Sequence, residues 1–204
     1  MASTAAPYGF VPVKKADGTP YAGARDSFLI DPSGVAQNIG YGSIVEINAG
    51  YVQLASGTGA DAGSNNLGGS SIGALGVFVG CEYVNSEGQL IFAQYYPSGT
   101  ANATAYVVTD PGVTFQVQAD DPIAQTALGH NAPLTGAQNA TTSVNTTTGK
   151  SNIALDATTA TGTKAFKVVG FVTKPGSAIG DAKTDVLVKF NLPYHQFGTG
   201  IVGE

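Results

Sequence analysis

The chain has 204 residues, 43% of them hydrophobic and only 11% charged, with a formal net charge of −5. This length and apolar content support a sizeable buried core and exclude disorder over the whole chain. Nine Lys and Arg stand against fourteen Asp and Glu and form no basic block, which counts against direct nucleic-acid binding, so no nucleic-acid partner is expected.

The first six residues, MASTAA, lack a basic segment and an apolar run, so no signal peptide is expected and synthesis in a cytoplasm is. Next comes Pro7-Tyr8-Gly9-Phe10-Val11-Pro12-Val13-Lys14-Lys15, too proline-broken for a helix and too aromatic for a solvated tail. Residues 1–25 are read as an extended N-terminal arm, and 26–204 as a single β-sandwich-type domain. Helical periodicity is almost absent from that domain. Short runs rich in β-branched and aromatic residues recur between turn signals, which predicts an all-β antiparallel sandwich or barrel, jelly-roll-like.

In chain order the predicted strands are 27–30, 43–47, 51–55, 74–84, 89–96, 105–109, 113–119, 164–172 and 185–192. The 74–84 run is nearly continuous apolar and is expected to be central. Asn85-Ser86-Glu87-Gly88 reads as a hairpin turn in which Gly88 supplies a positive φ, and Asp110-Pro111-Gly112 is expected to do the same. VTFQVQA alternates, so Val113, Phe115 and Val117 should face a core. Two segments break the pattern: the Gly/Ser/Asn-rich stretch 56–73 and a Thr/Asn/Gly-rich excursion over about 129–163. Both read as long surface loops, the second with an alternative as an excursion ordered by a neighbouring subunit.

No catalytic constellation emerges. Gly69-Ser70-Ser71-Ile72-Gly73 matches the nucleophile-elbow pattern, but it lacks the strand-then-helix context that exposes the serine. The two histidines are His130, in a loop, and His195, near the C-terminus, and Asp120-Asp121 reads as a solvated turn. The single cysteine, Cys81, excludes an intrachain disulfide and a Cys-cluster metal site and reads as a small buried hydrophobe. No cofactor or metal is expected, and no enzyme activity. No apolar run approaches the ~18 residues of a membrane helix, so no membrane partner is expected.

The ends of the chain carry a resemblance. Pro7-Tyr8-Gly9-Phe10-x-Pro12-Val13-Lys14 followed by Gly18-Thr19-Pro20-Tyr21 resembles the start of capsid decoration, or cement, proteins of tailed bacteriophages. The likeness continues at Ile72–Gly80 with Glu82-Tyr83, at Tyr95–Thr100, and at Ala105–Pro111 with Phe115-x-Val117-Gln118, and it ends near His195. The resemblance implies a structural virion protein on the outer surface of an icosahedral head. There it would bind the major capsid protein, cement neighbouring subunits and associate with itself, as a trimer in preference to a dimer. An arm of that kind would dock through Tyr8, Phe10, Val11 and Val13, with Lys14 and Lys15 meeting shell carboxylates; the competing reading folds the arm back over its own core. An alternative function is a virion β-module for host receptor or glycan binding.

Overall fold

The computed structural model describes residues 4–60, 67, 73–136, 138, 143–175 and 177–197. Its strands are β1 (Val11–Lys14), β2 (Asp26–Leu29), β3 (Ile44–Asn48), β4 (Tyr51–Leu54), β5 (Gly76–Val84), β6 (Leu90–Ala93) and β7 (Thr104–Val108). They continue with β8 (Thr114–Gln118), β9 (Asn131–Ala132), β10 (Val144–Asn145), β11 (Lys150–Ser151), β12 (Phe166–Phe171) and β13 (Asp185–Phe190). All nine predicted strands are present, and the class is all-β with antiparallel sheets, as expected.

One sheet has the order β1-β8-β13-β12-β9. The other has the order β2-β7-β5-β3-β4, with β6 added alongside β5, while β10 and β11 form a separate small hairpin. β5 pairs with β3, β6 and β7, which explains its near-continuous apolar sequence: both of its faces meet other residues. The inner faces of the two sheets share one core. Phe115, Val117, Val186 and Val188 come from the first sheet, and Ile44, Val77 and Val108 from the second. The second sheet curls so that its end strands β2 and β4 approach each other. Its other face wraps a second core built on Val45, Val52, Phe78, Cys81, Tyr96 and Val107. Adjacent residues therefore serve different cores, Val77 and Val108 one, Phe78 and Val107 the other, as the two-residue period of a strand requires.

Turn chemistry follows the sequence in one of the two predicted cases. At Asn85–Gly88 the Asn85 side-chain oxygen accepts from the Glu87 and Gln89 amides (3.0 and 2.9 Å), and Gly88 lies at φ +79°. At Asp110–Gly112 the expectation is corrected. Gly112 does not take the left-handed conformation; the Asp110 carboxylate accepts its amide at 2.8 Å, and a Cβ on Gly112 would stand 2.7 Å from the Cβ of Ala16. Close approach, not backbone sign, demands glycine there.

The excursion at 129–163 also departs from the sequence reading. Its described residues carry β9, β10 and β11, and Leu134, Ile153 and Leu155 enter the main core. The buried amide of Gln138 accepts from the Ile44 N–H (2.7 Å) and donates to the Ile44 carbonyl (3.2 Å), occupying both backbone groups of a strand residue. A polar-looking segment is thus tied to the body by backbone pairing and three aliphatic side chains. Composition conceals this, because the anchors are few and far apart. Of the 56–73 stretch, 61–66 and 68–72 lie outside the described residues, and with them Ser71 of the elbow-like motif.

Candidate functional site

The N-terminal segment is the first candidate surface. β1 adds to the edge of the first sheet, antiparallel to β8, with Val11 opposite Gln116 and Pro12 opposite Phe115. Pro12 has no N–H to donate, which an edge strand tolerates. Immediately before it the chain makes a sharp entry. Gly9 sits at φ +74°, and a Cβ there would lie 2.7 Å from both the Gly42 carbonyl oxygen and the Ser151 Cβ. The Phe10 amide then donates to that Gly42 carbonyl at 2.9 Å. The result drives the Phe10 ring into the core, where it stacks on Phe166 (centroids 4.7 Å) and meets Phe115 edge-on (6.4 Å). Phe190 closes the aromatic cluster against Phe115 and Phe166.

The expected separate arm over residues 1–25 is corrected accordingly. Phe10 has no exposed surface and is a core residue of its own chain, so it leaves the set of shell contacts. Tyr8 and Val11 are half-buried. The Tyr8 hydroxyl accepts from the Gln116 side chain at 2.8 Å, and burial together with the nearby Asp185 carboxylate raises its pKa above the ordinary phenol value. Gln118 fixes residues further upstream, accepting from the Ala6 amide at 2.9 Å and donating to the Thr4 carbonyl at 3.3 Å. Of the predicted contacts, Val13 remains exposed, and Lys14 and Lys15 are half-buried beside it. The carbonyl of Val13 takes the Tyr21 amide and Lys15 pairs with Thr19, so a short turn covers this end of the edge.

An open groove of about 600 Å³ runs between this segment and the β10–β11 turn, lined by Ala5–Tyr8, Asn145, Thr148, Lys150 and Asn152. It joins an aromatic ring to amide, hydroxyl and ammonium groups from a region of the sequence that itself contains no aromatic residue. Sequence separation of well over a hundred residues hides this pairing.

The second candidate surface was not anticipated. On β5 and β6, Glu82 lies opposite Phe92 and Val84 opposite Leu90, so these four side chains share one face. The same row continues through Thr104 of β7 to Leu29 of β2. Leu29, Val84, Leu90 and Phe92 are 60, 54, 57 and 68% exposed. The first sheet covers only part of the second, and these residues lie beyond its reach. The Arg25 guanidinium sits 4.0 Å over the Tyr106 ring, and the Tyr106 hydroxyl donates to Glu82 at 2.7 Å. A shallow groove of about 240 Å³ lies between Phe92 and this pair, walled by Val79, Gly80, Cys81 and Ala93.

His195 has no exposed surface and packs against Phe190 and Phe197 (centroids 5.1 and 5.7 Å). Its Nδ1 accepts the Phe197 amide at 3.2 Å, and burial lowers its pKa to about 4, so the ring is neutral near pH 7. His130 meets the Thr159 hydroxyl at 3.5 Å. The Asp120 carboxylate accepts the Ala157 amide at 2.8 Å, a clasp on backbone from the 129–163 excursion. Burial pushes the Cys81 thiol up to about 12, leaving no thiolate nucleophile. Among the described residues no group of three His, Cys, Asp or Glu is placed to hold a metal ion. No helix of the described residues is long and apolar enough to cross a membrane. No protein-family model, no curated protein sequence and no solved structure matches the chain.

Proposed function

We propose that this chain is a structural virion protein that binds the outer surface of an icosahedral phage head and cements neighbouring major capsid protein subunits, without catalysis. The observation that carries the reading is the distributed resemblance to decoration proteins over about residues 7–197; some of its patches include residues of β1, β5, β7 and β8, while Gly18–Tyr21 and Tyr95–Thr100 lie outside the strands. A body low in charge, with apolar side chains displayed on one sheet face, suits a protein that works by contact. Weak individual contacts suffice on a shell, since many copies and multiple contacts act together.

With Phe10 committed to the core, the shell contact on the N-terminal side falls to Val13, Lys14 and Lys15. The test is sedimentation of the purified chain with isolated heads, comparing wild type with a Val13→Asp/Lys14→Glu/Lys15→Glu variant. Co-sedimentation of wild type in many copies per head, lost in the triple variant, supports this reading and this contact. Equal binding by both overturns the contact, and no binding by wild type overturns the function.

A second reading, host glycan binding, is favoured by one observation: the groove that brings Tyr8 to Asn145, Thr148, Lys150 and Asn152. A glycan array probed with wild type and Tyr8→Ala tests it, and absence of Tyr8-dependent binding removes it.

A further inference from the structure

We infer that the outer face of the first sheet is a docking surface for a short acidic protein segment, whose carboxylates bridge a row of lysines formed by Lys14, Lys189 and Lys167. The row is centred on Lys189 and Lys167, which lie far from the N-terminal segment in sequence.

The row follows from strand register. Phe115, Val117, Val186 and Val188 enter the core, so Thr114, Gln116, Leu187 and Lys189 alternate onto the outer face. Lys14 pairs with Thr114, Phe115 with Val188, and Lys189 with Lys167. One step along the β8–β13 register sets Lys189 beside Thr114. The order across the sheet is therefore Lys14, Thr114, Lys189, Lys167. Directly opposed side chains start about 5 Å apart, and Lys14 stands about 10 Å from Lys189, two strands away. The nine basic residues form no block in the sequence, yet the sheet gathers three of them into one line.

The charges of this row are left unbalanced. Like charges directly opposite one another destabilise an antiparallel pair, and Lys167 and Lys189 are such a pair. Among the described residues, Lys14, Lys167 and Lys189 make no ion pair, and the Lys167 ammonium donates only to the Gly129 carbonyl, at 3.3 Å. Asp185 is the one carboxylate in the five strands of this sheet, and Lys174 holds it at 2.6 Å. In the turns at the Lys14 end, Asp17 accepts from Thr19 and Asp110 from the Gly112 amide. Thr114, in the middle of the row, is fully buried with no hydrogen-bond partner for its hydroxyl, an unused donor among cations. A chain richer in acids than in bases thus presents a face short of acids, and carboxylates from outside would offset its repulsion.

The surroundings favour carboxylates carried on protein. Val13 and Val169, 38% and 37% exposed, adjoin the row and add aliphatic contact. A nucleic acid would gain from an aromatic platform, but Phe115, Phe166, Phe171 and Phe190 of these strands all turn to the core. A long polyanion would also meet repulsion from the rest of a chain with net charge −5. A short extended segment avoids this. Its same-side carboxylates recur about every 7 Å, a spacing that flexible lysine side chains can match.

This inference does not depend on the head-binding reading, and its test uses the isolated full chain. Fluorescence anisotropy follows a labelled peptide of Glu-Ser repeats, with Gln-Ser repeats as the uncharged control. The glutamate peptide is expected to bind at low ionic strength and to weaken as salt is raised, and the control not to bind. Lys167→Glu/Lys189→Glu should weaken binding about tenfold or more, whereas Lys150→Glu/Lys183→Glu, with the same change in net charge, should stay within about twofold of wild type. Lys189→Gln should bind less tightly yet melt no lower than wild type, because it relieves a like-charge pair; this separates lost binding from lost folding. No binding by wild type, or equal losses in the two double variants, would overturn the inference. So would a single-stranded DNA oligonucleotide that binds more tightly than the glutamate peptide, or a Lys189→Gln chain that melts clearly below wild type.

Discussion

Replacing Phe10 by alanine distinguishes a core plug from a docking arm. The ring has no exposed surface, stacks on Phe166 at 4.7 Å and touches Phe115 edge-on at 6.4 Å. Removing a fully buried phenyl costs about 3–5 kcal/mol, the transfer term plus the cavity left in a site too well packed to collapse. Collapse is restricted here because the backbone on the N-terminal side is wedged between Gly42 and Ser151. In a chain of this size each kcal/mol moves the melting temperature by about 2–4 °C, so the variant should melt roughly 6–20 °C below wild type. Circular dichroism melts and urea titration measure this, with an unchanged denaturant slope if the change lies in the native state. Val13→Ala, at a residue 38% exposed two strand positions away from Val11, should shift stability by no more than about 0.5 kcal/mol. A Phe10→Ala protein that melts with wild type, or with Val13→Ala, would refute the placement of Phe10 in the core.

Gly9→Ala combines a left-handed φ of +74° with contacts of 2.7 Å, whereas Gly18→Ala has a similar φ of +85° and open space around it. Gly18→Ala should cost about 1–2 kcal/mol and Gly9→Ala clearly more, and equal melting temperatures would contradict the wedge. His195 binds its proton with a pKa near 4 in the folded chain against 6.5 when unfolded, so acid favours the unfolded state. Its destabilising effect is absent above about pH 6.5, grows as pH falls, and reaches about 3 kcal/mol by pH 4. A pH series of urea titrations should show this slope flattened in His195→Asn, and an unchanged slope would count against it. Cys81 should resist a thiol reagent at pH 8 until the chain unfolds, because burial holds the thiol protonated; rapid native labelling would contradict that. Deleting residues 2–15 should abolish cooperative folding, since it removes β1 and Phe10 together, and a truncated chain that melts like wild type would oppose this.

The strands were legible in the sequence because strand formation is written locally. Alternation in VTFQVQA placed Phe115 and Val117 inward, the unbroken apolar run of β5 marked a strand with two covered faces, and Asn85 with Gly88 set a hairpin. The direction of the N-terminal segment was not legible. PYGFVPVK has the same composition whether it grips another molecule or its own sheet, and the choice rests on Gly42 and Ser151, remote residues that leave room only for a glycine at position 9. The same holds for the excursion at 129–163, where Gln138, Ile153 and Leu155 gain their meaning from partners far away in the chain.

The sequence by itself determined the all-β class and the strand positions, because these follow from short-range periodicity. Only the tertiary structure decided that Phe10 is a plug and that Tyr8 faces the Asn145–Asn152 hairpin. It alone decided that Leu29, Val84, Leu90 and Phe92 come together on one uncovered face. Those outcomes depend on how two sheets overlap and curl, which is a balance of long-range packing that no local run of residues encodes.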